Sequence, residues 1–227
     1  MVNIEKEIQT KKDPIRAKIL SRFFKTGKGQ YGEGDIFLGI VVPVQRIIAK
    51  KYYKEISLRE VQKLLNSKIH EYRLIALLIL VEKYKEDKEL IYNTYIKNFR
   101  NINNWDLVDL TAPKIMGDFL KDKNKDILYS LAVSDDLWER RISIIATFDF
   151  IKDNDFKDAL KISEILLNDK HDLIHKAVGW MLREIGKRNK DLEKEFLDKN
   201  YRIMPRTMLR YSIEKFSPRE REFYMKK

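Results

Sequence analysis

Residues 70–86 read "HEYRLIALLILVEKYKE". Leu74, Leu77, Leu78 and Val81 recur at three- and four-residue steps, which lines one face of an α-helix with apolar side chains. The apolar run inside it, "LIALLILV" at 74–81, is far too short to span a bilayer. The stretch therefore reads as a helix packed in a folded core. The same period returns in "DLWERRISIIATFDFI" (136–151), at Leu137, Ile144, Ile145 and Phe148. It returns again in "DLIHKAVGWMLREIGKR" (172–188), at Leu173, Ala177, Trp180, Met181 and Ile185. Helix starts are equally legible. Ser57 with Glu60 forms a capping box, as does Ser217 with Glu220, and Asp13–Pro14 supplies a cap followed by proline at the first helical position. The one strand-like run, "DIFLGIVVPV" (35–44), stands alone and is interrupted by Pro43, so it reads as a buried connector. Short links such as "YKEDKE", "KDKNKD" and "LNDKHD" separate helices that pair at intervals of roughly 40 residues. The expectation is an all-α chain forming one domain over residues 1–227. Its helix pairs would stack as a HEAT-like α-solenoid, or superhelix, with a concave basic groove. A plain helical bundle is the alternative.

The chain has 227 residues, 44% hydrophobic and 36% charged, so it can bury a core beneath a heavily charged surface. Eleven Tyr, eleven Phe and three Trp exclude a disordered chain. Zero cysteines exclude a disulfide framework, a thiol nucleophile and a thiolate metal site. The start "MVNIEKEIQTKKD" has no apolar core of a secretory signal, and these features together fit a cytoplasmic protein with no membrane-spanning segment. Net charge is +11, the footprint of a polyanion partner. Three segments concentrate it. Residues 201–227 hold eight basic against three acidic side chains, 176–190 hold five against one, and 25–54 hold six against two. The first two are interleaved with Trp180, Tyr201, Tyr211, Phe216, Phe223 and Tyr224. DNA, RNA or an anionic membrane would each answer such a field.

Two motifs are decoys. "GKGQYGEG" (27–34) contains GxGxxG at Gly27, Gly29 and Gly32, but helical "ILSRFFKT" precedes it where a dinucleotide fold needs a strand. It reads as a loop, from which Lys28 and Tyr31 could touch a ligand. "HDLIH" (171–175) echoes a zinc protease motif, yet Asp replaces the catalytic Glu and His171 sits where a helix should start, so a capping or surface pair is the better reading. The stretch "NINNWDLVDLTAPKIMG" (101–117) is different. Asn104 suits an N-cap, and Asp106 suits the first helical turn. Trp105 and Asp109 are four apart, so an indole and a carboxylate share one helix face. Pro113 cannot hydrogen-bond the Asp109 carbonyl, so the helix should bend or end there. An indole face and a carboxylate both attract a cation. A packed Trp beside a solvated Asp satisfies the same spacing. In "DLWERRISII", Arg140 and Arg141 face different ways, and either is paired with an acid or aimed at a phosphate.

Taken in order, "FLGIVVPVQR", "HEYRLIALLIL", "NNWDLVD", "LWERRISII", "VGWMLREIGK" and "MPRTMLRYSIEKF" resemble the AlkD-like family of DNA alkylation repair glycosylases, built of HEAT-like repeats. The resemblance implies excision of positively charged N3- and N7-alkylated purines from double-stranded DNA, with no metal or organic cofactor. It implies a catalytic carboxylate at Asp109, sugar-facing tryptophans at Trp105 and Trp180, and a phosphate-binding arginine at Arg141. Arg140, Lys28, Tyr31, Lys187 and Arg188 are the further candidates for contact with the DNA. Such a chemistry suits the residues, because a carboxylate and aromatic faces stabilise an oxocarbenium-like sugar and a cationic base leaves readily. The chain is expected to be a monomer. A HEAT-like module that binds damaged or branched DNA without chemistry is the first alternative, and a protein-binding scaffold the second.

Overall fold

Helix caps set where the elements begin. The computed structural model describes residues 4–226. The first three residues of the segment read as lacking a secretory signal, and Lys227 of the C-terminal basic segment, lie outside the described residues. Packing divides the chain into two compact units, Met1–Thr111 and Ala112–Lys227. The first contains α1 (Ile4–Thr10), α2 (Pro14–Phe23), α3 (Val42–Tyr52), α4 (Leu58–Leu65), α5 (His70–Lys83), α6 (Lys88–Lys97) and α7 (Trp105–Ala112). A π-helical turn at Pro113–Gly117 follows. The second unit contains α8 (Asp118–Leu120), α9 (Asp126–Ala132), α10 (Leu137–Ala146), α11 (Phe148–Lys152), α12 (Lys157–Ile165), α13 (Asp172–Gly186), α14 (Lys190–Asn200), α15 (Arg206–Ser212) and α16 (Pro218–Met225). The fold is all-α, and helices pack on near neighbours in sequence as helical repeats do: α3 and α4 on α5, and α9 and α13 on α10.

Both predicted capping boxes form, Ser57 with Glu60 and Ser217 with Glu220. Asp13 accepts the Arg16 N–H at 2.9 Å and starts α2. Helix α5 is buried more deeply than its stripe implies. Every residue from His70 to Leu80 is buried, because α3 and α4 both lie against it.

The run 35–44 is an irregular connector as far as Val41 and is buried only in part: Ile36 and Val41 are exposed, and Val42 onward belongs to α3. Among the described residues the one β-bridge pairs Ile36 with Ile69, and Phe37, Leu38 and Ile40 are buried. Its backbone is satisfied by a side chain. Glu71, fully buried at the start of α5, accepts the N–H groups of Leu38, Gly39 and Ile40 at 2.8–3.2 Å. Gly39 has a φ of +88°, and a Cβ there would come within 2.2 Å of the Asp13 carbonyl oxygen, so only glycine suits this position. Pro43 does not break a strand. It sits in the first turn of α3, where its missing N–H costs nothing.

Candidate functional site

In the first unit the site is built around α7. Asn104 is fully buried, and its Oδ1 accepts the Trp105 N–H at 2.9 Å, fixing the helix start. Trp105 and Asp109 follow on successive turns and both are half-buried. The indole is held by a stack of rings. Trp105 lies parallel to Phe24 at 5.1 Å and 8°, Phe24 stacks on Phe37 at 4.9 Å, and Phe37 stacks on the His70 imidazole at 4.5 Å. Phe23 meets Trp105 edge-on at 6.0 Å and is 61% exposed. The stack therefore joins α2, the connector, α5 and α7.

His70 ends the stack inside a polar network. Its Nε2 is 2.8 Å from Asp106 and its Nδ1 is 3.1 Å from Asp35. Arg73 donates to the other oxygen of Asp35 at 2.7 Å. Burial alone would push the imidazole down, but the charge and hydrogen bond of Asp106 and the hydrogen bond of Asp35 outweigh it, raising His70 to about 9. Asp35 is held below its usual range. Burial opposes its ionisation, and the His70 hydrogen bond and the Arg73 charge overcome that. Asp106 thus serves a buried cation as well as the helix dipole.

Near Asp109 lie the buried Tyr95 phenol and an altered helix. The Tyr95 hydroxyl and Thr111 Oγ1 are 2.9 Å apart, and Thr111 also donates to the Leu107 carbonyl. The Tyr95 phenol is pushed up by complete burial and further by the negative charge of Asp109. The helix neither ends at Pro113 nor stops its hydrogen bonding. It widens into the π-turn at Pro113–Gly117 and resumes as α8, which accommodates a residue with no N–H to offer Asp109.

In the second unit, Asp136 caps α10 by accepting the Trp138 and Glu139 N–H groups at 2.7 and 3.1 Å. Arg140 and Arg141 face different ways, as the helix period requires. Arg140 donates to Asp169 at 2.7 Å and to the carbonyls of Ser134 and Asp135. Arg141 is 5% exposed and donates to the Leu173 carbonyl at the start of α13. Trp180 is half-buried on α13, tilted against Phe148 at 5.7 Å, with its Nε1–H given to Glu184 at 3.2 Å. Glu184 also gathers Lys187 at 2.6 Å and Arg188 at 3.5 Å, so both cations are tied beside Trp180.

The glycine-rich loop borders the α7 set at Tyr31. Lys28 is exposed in turns closed by Gly27 N–H to Gln30 and Gly29 N–H to Glu33. Tyr31 donates to the Phe23 carbonyl at 3.4 Å, which links it to the Trp105 stack. "HDLIH" is a capping pair: His171 Nδ1 accepts the Leu173 N–H at 3.1 Å, and His175 bonds the Asp169 carbonyl. Sequence reasoning missed Phe23, Phe24 and the Asp35–His70–Asp106 network. Their partners lie tens of residues away and no local period joins them.

The sequence profile of the DNA alkylation repair enzymes matches residues 4–216. Comparison with curated proteins gives no match. Among solved structures, the chain is similar to a predicted DNA alkylation repair enzyme from Enterococcus faecalis, with a TM-score of 0.75 and 17% identity over 92% of this chain and 98% of that one. It is also similar to AlkD2 from Streptococcus mutans, with a TM-score of 0.57 and 20% identity over 89% and 97% of the two chains. At such identities the structures speak for the fold, and the profile speaks for the family. The chain belongs to the DNA alkylation repair enzyme family.

Proposed function

We propose that this DNA repair protein is a glycosylase that hydrolyses the N-glycosidic bond of positively charged N3- and N7-alkylated purines in duplex DNA, acting as a cytoplasmic monomer. The observation that carries the reading is the Trp105–Asp109 pair on successive turns of α7, with its indole immobilised against Phe24. A fixed aromatic face beside a carboxylate suits a developing positive charge. In this reaction the C1′–N bond breaks and its electron pair returns to the purine, neutralising the cationic base. That base leaves without needing a strong general acid. The sugar becomes oxocarbenium-like, the Asp109 carboxylate stabilises it, and water adds to C1′ while its proton passes to Asp109 or solvent. Trp180 would offer a second aromatic face to the sugar. Arg141 would hold the lesion strand by a phosphate, and Arg140, Lys28, Tyr31, Lys187 and Arg188 would contact the duplex.

The test is selectivity for charge. Duplexes carrying one N7-methylguanine, one N3-methyladenine, one O6-methylguanine or one uracil are incubated with the protein, and released bases are separated and quantified. The proposal expects release of the first two, which are cationic, and none of the neutral pair. Binding without release from any duplex favours the non-catalytic DNA-binding module.

A further inference from the structure

The C-terminal basic and aromatic segment is not used by the chemistry above. Between the end of α14, the start of α15 and the end of α16 lies a cavity of about 830 Å³, lined by Tyr201, Arg202, Pro205, Arg206, Phe223 and Lys226 among others. That volume suits a small organic ligand. Two of these residues offer aromatic rings and three are cationic, and none of the described residues lining the cavity is acidic. The rings of Tyr201 and Phe223 are 6.0 Å apart and inclined at 33°. Phe223 is 56% exposed, so the platform is open to a ligand. It is braced from below. Tyr224 is buried, packs edge-on against Tyr201 and Phe223, and donates its hydroxyl to Asp198 at 2.7 Å. The cations are placed around it. The Arg202 guanidinium lies 5.6 Å from the Tyr201 ring centroid, and Arg206 donates to the Met225 carbonyl at 2.7 Å, tying α15 to the end of α16. Lys226 pairs with Glu222, but both side chains are about 70% exposed, so solvent screens that pair. Phe223 and Lys226 lie beyond residues 4–216, which the family profile matches.

Flat apolar faces ringed by cations complement a flat base carrying a phosphate. We propose that this cavity binds one nucleotide unit, its unpaired base stacked on Phe223 and Tyr201 and its phosphate held by Arg202, Arg206 and Lys226. The unit has two sources, an unpaired nucleotide of a DNA strand or a free nucleoside monophosphate, and the chemistry is the same for both.

Fluorescence anisotropy separates them. A labelled 12-base-pair duplex is compared blunt-ended and with a three-nucleotide overhang, using the full chain, Phe223→Ala and Arg202→Glu, with AMP as competitor and phosphatidylglycerol vesicles as a separate arm. Both substituted side chains are exposed, and circular dichroism checks that the variants fold. Wild type should bind the overhang duplex more tightly than the blunt one. Each variant should lose that increment, by about tenfold for Phe223→Ala, with blunt-duplex affinity unchanged for it. Displacement of the increment by AMP supports the free nucleotide as a source, and resistance to AMP supports the strand. An increment equal in all three proteins, or none in wild type with no AMP binding, overturns the proposal. So does Phe223-dependent vesicle binding with nucleotides ignored. Base release is not read in this assay, so failure of the glycosylase reading leaves it intact.

Discussion

His70 is charged where burial alone would neutralise it, and the consequence is a pH dependence with a definite sign. The folded protein holds its proton up to about 9, whereas an unfolded chain releases it near 6.5. The stabilisation is therefore fully present below about 6.5 and is lost as pH rises through about 9, on the order of 3 kcal/mol for such a shift. Glu193 adds a slope of the same sign in a lower window, because burial, with Glu220 adding to it, pushes its carboxyl up to about 8. Denaturant unfolding should show stability falling from pH 6.5 to 9.5, above the window in which His171, pushed down by burial, contributes a slope of the opposite sign. Glu193→Gln should flatten the lower part and His70→Gln the upper part. A wild-type profile that is flat from pH 6.5 to 9.5 would contradict the buried imidazolium. Trp105 should report the same network from the other end of the stack. Phe24→Ala should loosen the indole and shift its fluorescence, while Phe99→Ala, which lies outside the stack, should not.

The elements show what local sequence can and cannot encode. Ser57–Glu60 and Ser217–Glu220 were legible because each box closes within one turn. Trp105–Asp109 was legible for the same reason, since one helical turn sets their spacing. The connector at 35–44 was legible as irregular, but its partner Glu71 lies over thirty residues away and no local pattern announces it. The π-turn after α7 was half legible: Pro113 marked a disturbed helix, and tertiary packing chose widening over ending. Close helix packing was silent altogether. A Cβ on Gly179 of α13 would lie 2.4 Å from the Met208 carbonyl oxygen and 2.5 Å from the Tyr211 Cβ, both on α15. Gly179→Ala should therefore push α13 from α15 and cost about 1–3 kcal/mol in denaturant unfolding. An unchanged stability would mean the two helices part without cost. Because Trp180 is the next residue, excision should fall with it.

The whole molecule carries a net charge of +11, and its family acts on DNA. The all-α repeat architecture was readable from hydrophobic period and short links. The charge was readable as a polyanion preference, but not as a choice among polyanions. Among the described residues no helix is long and apolar enough to cross a membrane. Duplex affinity should fall steeply with salt, by about 10³-fold between 50 and 200 mM if six phosphates are neutralised. Anisotropy titrations at several salt concentrations give that slope, and a salt-independent affinity would contradict electrostatic DNA binding. The central claim rests on one carboxylate. The direct measurement is single-turnover release of N7-methylguanine from duplex DNA by wild type and Asp109→Asn, with DNA affinity measured in parallel. The account predicts release by wild type and a rate lower by about 10²-fold or more for Asp109→Asn at nearly equal affinity. Equal rates would contradict it and return the Trp105–Asp109 pair to ordinary packing.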